Sequence, residues 1–97
     1  MNRQSALATL RIHEAEFRRL GVEHLYLFGS TARDETRQHS DVDLFFDHPE
    51  GSIGLYELID IKHAAARILG NTTDIMSRRS LHPVLRHEIE TDALKVF

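Results

Sequence analysis

Two neighbouring stretches decide the fold: Leu25-Tyr26-Leu27-Phe28-Gly29-Ser30 and, after ten intervening residues, Asp41-Val42-Asp43-Leu44-Phe45-Phe46-Asp47. Residues 25–28 are continuously apolar and stop at a glycine, the pattern of a short strand buried on both faces. Residues 41–47 alternate carboxylates with Val42, Leu44 and Phe46, which predicts a second strand. Ser30 to Gln38, between them, is short and polar and reads as two helical turns with Ser30 as N-cap.

The same reading extends to both ends of the chain. Upstream, Ala6, Leu10, His13, Phe17 and Leu20 recur at steps of four, three, four and three, which predicts one helix with an apolar face. Glu14 and Arg18 form an i,i+4 pair on it, and Gly21 suits the left-handed position that ends a helix. His13, on the apolar stripe, reads as a partly buried, hydrogen-bonded imidazole. Downstream, His48-Pro49-Glu50-Gly51 is turn chemistry. Ile53 to Leu69 carries Leu55, Leu58, Ile61, Ala65 and Ile68 on one face and closes at Gly70. Thr72 to Met76 is rich in β-branched residues and predicts a third strand. Pro83 stands where a helix can start, with Leu81, Leu85 and Ile89 spaced by four. Ala93 to Phe97 returns as a short edge strand. The order αβαβαβα(β) predicts an α/β fold: a small α/β sandwich, a mixed sheet of three to four strands with packed helices, as one domain over residues 1–97.

Composition narrows the chemistry. Forty-one per cent of the 97 residues are hydrophobic and 28% charged, which excludes a disordered chain. Fifteen acidic and 12 basic side chains leave a net charge of −3, which argues against a protein that coats nucleic acid. The sequence contains no cysteine, so disulfides, thiolate zinc sites and cysteine nucleophiles are excluded. No stretch is long and apolar enough to span a membrane, and the N-terminal residues lead into an amphipathic pattern; a cytoplasmic location is expected. Among the seven histidines, His82 and His87 are five apart, which is not the spacing of a helical zinc pair. His39 and His48 flank the acidic strand and read as loop residues. Gly51-Ser52-Ile53-Gly54 matches a GxxG loop of RNA-binding proteins and equally a plain strand-to-helix turn.

The chemistry concentrates around the opening stretch. Asp41 and Asp43, two apart on a strand, project from the same face with Cα atoms about 6–7 Å apart. Carboxylates that close repel unless a cation lies between them, although an Asp-x-Asp alone also fits a solvated acidic face. The upstream Gly29-Ser30 corner allows close approach of the backbone to an anion. The Ser30 hydroxyl and the Arg33 guanidinium, in the first turn, reach the same anion. A phosphate cradle beside a carboxylate pair is the minimum apparatus for a metal-bound nucleotide. Asp74, in Thr72-Thr73-Asp74-Ile75-Met76, is a third carboxylate within an apolar strand, where an unpaired charge is costly. It joins the first two if strands 41–47 and 72–76 pair; a pairing with Arg78 or Arg79 is the other reading.

Phe28-Gly29-Ser30, ten residues, then Asp41-Val42-Asp43 resembles the G-S-x(10)-D-x-D pattern of the DNA polymerase β-like nucleotidyltransferase superfamily. Ala32-Arg33, Ser40-Asp41-Val42-Asp43-Leu44, Gly54-Leu55, Leu69-Gly70, Thr73-Asp74-Ile75 and Leu81-x-Pro83-x-Leu85-Arg86 extend the likeness to its minimal branch, the MNT antitoxins paired with HEPN-domain toxins. Two positions depart: Thr31 stands where the branch often has a basic residue, and Asp34 where it often has glycine. The resemblance implies transfer of AMP from ATP to a hydroxyl, with two Mg2+ ions (or Mn2+) held by Asp41, Asp43 and Asp74. Gly29, Ser30 and Arg33 would bind the phosphates, and Asp74 would help take the proton of the acceptor. The implied acceptor is a tyrosine of a HEPN toxin held in a hetero-oligomer. The alternatives are neutralisation of the toxin by contact alone and nucleotide addition to an RNA end. The negative charge and the lack of a basic stripe count against the RNA reading.

Overall fold

The computed structural model describes residues 2–35, 41–70 and 72–97. Two short helices open the chain, α1 (Arg3–Ile12) and α2 (Glu14–Arg19), followed by β1 (His24–Phe28), α3 (Gly29–Ala32), β2 (Val42–Asp47), α4 (Leu55–Leu69) and β3 (Thr73–Ser77). A 3₁₀ turn (Arg78–Ser80), α5 (Arg86–Asp92) and β4 (Leu94–Lys95) complete it. The sheet order is β3-β2-β1-β4. β1 runs antiparallel to β2 and β4, whereas β2 and β3 are parallel and need the α4 crossover between them. The expected small mixed sheet with packed helices is therefore the architecture observed.

One sheet face carries the core. Leu25 and Leu27 of β1, Val42, Leu44 and Phe46 of β2 and Ile75 of β3 are buried in one cluster with Ala6 and Leu10 of α1, Phe17 of α2, and Ile61, Ala64 and Ala65 of α4. Each Leu, Ile or Phe so buried contributes about 1.5–3 kcal/mol relative to exposure. Arg11 ties α1 to the C-terminal end by donating from Nε to the Val96 carbonyl at 2.9 Å.

Local departures from the sequence pattern have physical causes. The helix expected over residues 6–20 breaks at His13, whose backbone (φ −99°, ψ 16°) is not helical. Its N–H bonds the Leu10 carbonyl at 3.1 Å, a 3₁₀-type closure, and Nδ1 lies 2.9 Å from the Thr9 carbonyl. The apolar periodicity survives because both halves keep Leu10 and Phe17 on the core. Beyond α2, Val22 N–H bonds the Phe17 carbonyl and Gly21 N–H the Arg18 carbonyl, a Schellman closure with Gly21 at φ +106°. The Glu14–Arg18 pair forms at 2.7 Å.

The polar helix after β1 is one turn, not two. It starts at Gly29, so Phe28 rather than Ser30 holds the N-cap position, and Asp34 ends it in the left-handed region at φ +59°. The position at which the resembled branch often has glycine thus takes a conformation that glycine adopts freely and aspartate also tolerates. Thr36, Arg37, Gln38, His39 and Ser40 lie outside the described residues. The segment 49–54 is a strand-to-helix turn: Ser52 donates from both N and Oγ to the Pro49 carbonyl, at 3.1 and 2.6 Å. Glu57 then reaches back to accept from Gly54 N at 3.1 Å and starts α4. Leu55 is not on the buried stripe; it is exposed, on a side of α4 that Tyr56 and Ile59 also leave to solvent. Residues 83–85 form a turn, so α5 starts three residues after Pro83.

Candidate active site

The second face of the sheet carries the other half of each strand's alternation. Register pairs Phe28 with Asp43 and Tyr26 with Phe45 across β1 and β2, and Asp43 with Asp74 across β2 and β3. Paired residues share a face, so Asp43 and Asp74 project side by side from adjacent strands. The proposed pairing of these two strands is thus present, and it is parallel.

Gly29 is set directly against Asp43. At φ +75° its backbone is left-handed, and a methyl group on it would overlap Asp43 Oδ2. This glycine lets the corner after β1 close on the carboxylate with no side chain between. Asp43 is half-buried, and burial pushes its carboxyl above the ordinary aspartate range. The negative charges of Asp74 and Asp41 push in the same direction, against the pull of the Arg33 guanidinium. Four charged groups, Asp43 of β2, Asp74 of β3, Arg33 at the end of α3 and Asp41, which stands one residue before β2 and not on the strand, therefore act on one another at this corner.

Asp41 and Asp74 are both exposed. The expected cost of burying the charge of Asp74 is not incurred, because β3 is an edge strand and leaves the carboxylate to water. Nor does Asp74 pair with arginine among the described residues: Arg78 goes to Asp47 and Glu90, and Arg79 to Glu50. Among the described residues, no three His, Asp or Glu side chains are gathered closely enough to hold one metal ion. The donors here are all carboxylate oxygens, the chemistry a hard divalent cation takes, and the upward shift of Asp43, due first to burial and then to the charges of Asp74 and Asp41, is one that a cation drawn between them would offset.

On the other side of Gly29 lies a cavity of about 270 Å³ lined by Phe28, Gly29, Arg33, Leu85, Glu88, Ile89 and Asp92. Arg33 is exposed at its edge and donates from Nε to Glu35 at 3.2 Å. Ser30 is half-buried, and its carbonyl accepts from Glu35 N at 2.9 Å. Thr31 is fully buried, so the residue at this position faces inward and not toward the cavity's solvent edge. His48 follows the far end of β2 and bonds locally to Pro49 and Ser52, away from the acidic corner.

One residue of consequence has no motif to reveal it. Arg78 clasps Asp47 with two hydrogen bonds, Nε–Oδ1 at 2.7 Å and Nη2–Oδ2 at 3.0 Å, and donates from Nη1 to Glu90. Its guanidinium also stacks over Tyr26 and Phe45, at 4.9 and 5.0 Å from the ring centroids. The two rings are themselves stacked at 4.8 Å. Arg78 thus fastens α5 to the face that bears Asp43. The sequence offers Arg78 only as a possible partner of Asp74; the signal would have been the acidic residues Asp47 and Glu90, too distant in sequence to be linked to it.

The glycine-serine corner closed on a strand carboxylate, with a second carboxylate beside it on a parallel strand, sits in a fold of the nucleotidyltransferase class. Residues 10–96 match the model of the nucleotidyltransferase domain family. The chain belongs to this family and is a nucleotidyltransferase. Within it, the chain is a member of the minimal (MNT) branch. A candidate protein adenylyltransferase of Methanocaldococcus jannaschii is 34% identical over 76 residues, covering 78% of this chain and 81% of the relative. Protein adenylyltransferase MntA of Thermococcus cleftensis is 34% identical over 73 residues, covering 74% and 73%. A solved candidate minimal nucleotidyltransferase superposes with a TM-score of 0.81 at 33% identity, over 97% of this chain and 95% of that one. The fold is shared, at 18% identity and a TM-score of 0.59, with a chain of the complex between a tri-AMPylated HEPN toxin and MNT antitoxin of Shewanella oneidensis, over 90% and 71%.

Proposed function

We propose that this nucleotidyltransferase transfers AMP from ATP to a tyrosine hydroxyl of a cognate HEPN toxin and so acts as its antitoxin. The observation that carries the reading is the close approach of Gly29 to Asp43, which joins the backbone corner after β1 to a carboxylate that Asp74 and Asp41 act on. Asp41, Asp43 and Asp74 would hold Mg2+, which when bound lowers the pKa of the acceptor hydroxyl and stabilises charge on the phosphoryl oxygens. Gly29 and Ser30 bind the β- and γ-phosphates, and Arg33 offsets the charge that builds on the departing pyrophosphate. The acceptor oxygen forms a bond to the α-phosphorus as the bond to the bridging oxygen breaks. Pyrophosphate leaves, and the carboxylate of Asp74, on the exposed edge strand, takes the hydroxyl proton. The partner follows the complex of Shewanella oneidensis, in which an MNT antitoxin accompanies a HEPN toxin.

The test is intact mass of the partner after incubation with this protein, Mg2+ and ATP. One or more added AMP groups are expected, and none with the Asp41→Ala/Asp43→Ala double variant. If the double variant still neutralises the partner fully, contact alone accounts for the biology and transfer does not.

A further inference from the structure

Of the elements around the site, α5 alone has no buried residue, whereas β1, β2, β3 and α3 each place at least one in the interior. It is seven residues long, and a helix this short is marginal by itself. Yet Glu88, Ile89 and Asp92 of α5 form one wall of the cavity whose other wall carries Gly29 and Arg33. Something has to hold that wall at a fixed place beside the corner. Among the described residues, one polar contact joins an α5 side chain to another part of the chain: Glu90 accepts from Arg78 Nη1. The others, Arg86 with Glu90 and Thr91 with the His87 carbonyl, stay within the helix.

Arg78 is itself immobilised. Its guanidinium grips Asp47 of β2 at two points and lies over the rings of Tyr26 of β1 and Phe45 of β2. The two-point grip and the stack both suit a planar guanidinium and not an ammonium. We propose that Arg78 is a positioning residue: by holding Glu90 against the frame of β1 and β2, it fixes α5 beside the Gly29 corner and so sets the affinity for the nucleotide, not the rate of transfer. This rests on the nucleotidyltransferase reading of that corner. The rate is left alone because Asp43 and Asp74 are placed by the pairing of β2 with β3, and Gly29 by its own close approach to Asp43. None of these contacts passes through Arg78.

The experiment is calorimetric titration with Mg-ATP of the parent, Arg78→Met, Glu90→Gln and the double variant, well below the melting temperature of each. Each single variant is expected to weaken Mg-ATP about tenfold. The double variant should lose no more than either alone, because both substitutions remove the same contact. Arg78→Lys, which keeps the charge without the two-point grip or the stack, should fall between the parent and Arg78→Met. In transfer assays the KM for ATP should rise in step while kcat stays within about threefold. A clasp that serves the fold alone would lower the melting temperature and leave the dissociation constant at the parental value. That result, losses that add in the double variant, or a fall in kcat with KM unchanged overturns the positioning role while the phosphate corner stands. If Arg78→Met fails to fold, Glu90→Gln, which leaves Arg78 its grip on Asp47, decides alone. If the parent itself does not bind Mg-ATP, the reading of the corner falls and the positioning role with it.

Discussion

The two faces of one four-stranded sheet are built to opposite ends. On the helix-covered face, Leu25, Leu27, Val42, Leu44, Phe46 and Ile75 interlock with α1, α2 and α4 and leave no charge. On the other, Asp43 stands half-buried beside Asp74, the rings of Tyr26 and Phe45 are topped by the Arg78 guanidinium, and Phe28 packs against Phe45. The first face holds most of the buried apolar side chains. The second holds like charges in mutual repulsion, which lowers stability and is useful only if a ligand relieves it. The strand period of two lets both programmes run along the same residues.

The comparison breaks most visibly on the apolar face. Leu44→Ala removes a fully buried side chain and should cost about 2–5 kcal/mol, read by urea unfolding; a loss under 1 kcal/mol would mean that this face is not the source of stability. Arg78→Met comes next, because it leaves Asp47 and Glu90 without their partner; about 2–3 kcal/mol is expected. The same variant flattens the pH response. The Glu90 carboxyl is held below the ordinary glutamate range, first by its hydrogen bond from Arg78. That contribution is present above the ordinary glutamate pKa and is lost as pH falls through the lowered one. Acid unfolding of Arg78→Met should therefore lack part of the slope of the parent below the ordinary value.

Gly29→Ala should separate function from folding. The left-handed backbone costs about 1–2 kcal/mol with a side chain. Displacement of the Asp43 carboxylate should lower AMP transfer by about a hundredfold or more. Transfer at parental rate would show that the corner does not need to close on Asp43. The smallest effect is predicted for Tyr56→Ser, on the solvent side of α4: within about 0.5 kcal/mol by thermal melting.

How much of this was legible in the sequence follows from what each signal depends on. The strands were legible because the apolar run 25–28, the alternation in 41–47 and the β-branched residues 72–76 are local patterns. The convergence of Asp43 and Asp74 was legible only through family resemblance, since strand register is not local. The break at His13 was hidden because two short helices with a shared buried side keep one periodicity. Phe45 was overlooked for the opposite reason: it lies out of phase with the apolar alternation of β2 because it is buried on the second face. Arg78 was illegible because its partners lie 31 and 12 residues away, and nothing in a sequence marks such a pair.

The central claim is that the second face stores charge repulsion for a cation and a nucleotide. It is tested most directly by urea unfolding of the parent and of Asp43→Asn at neutral pH, each with and without Mg2+. Because the Asp43 carboxyl is raised in the folded chain, its charged form is disfavoured there at neutral pH, and removing the charge should stabilise. The account predicts that Asp43→Asn is the more stable protein without Mg2+, that Mg2+ stabilises the parent, and that the variant gains little from it. A less stable variant, or one that gains as much from Mg2+ as the parent, would contradict it.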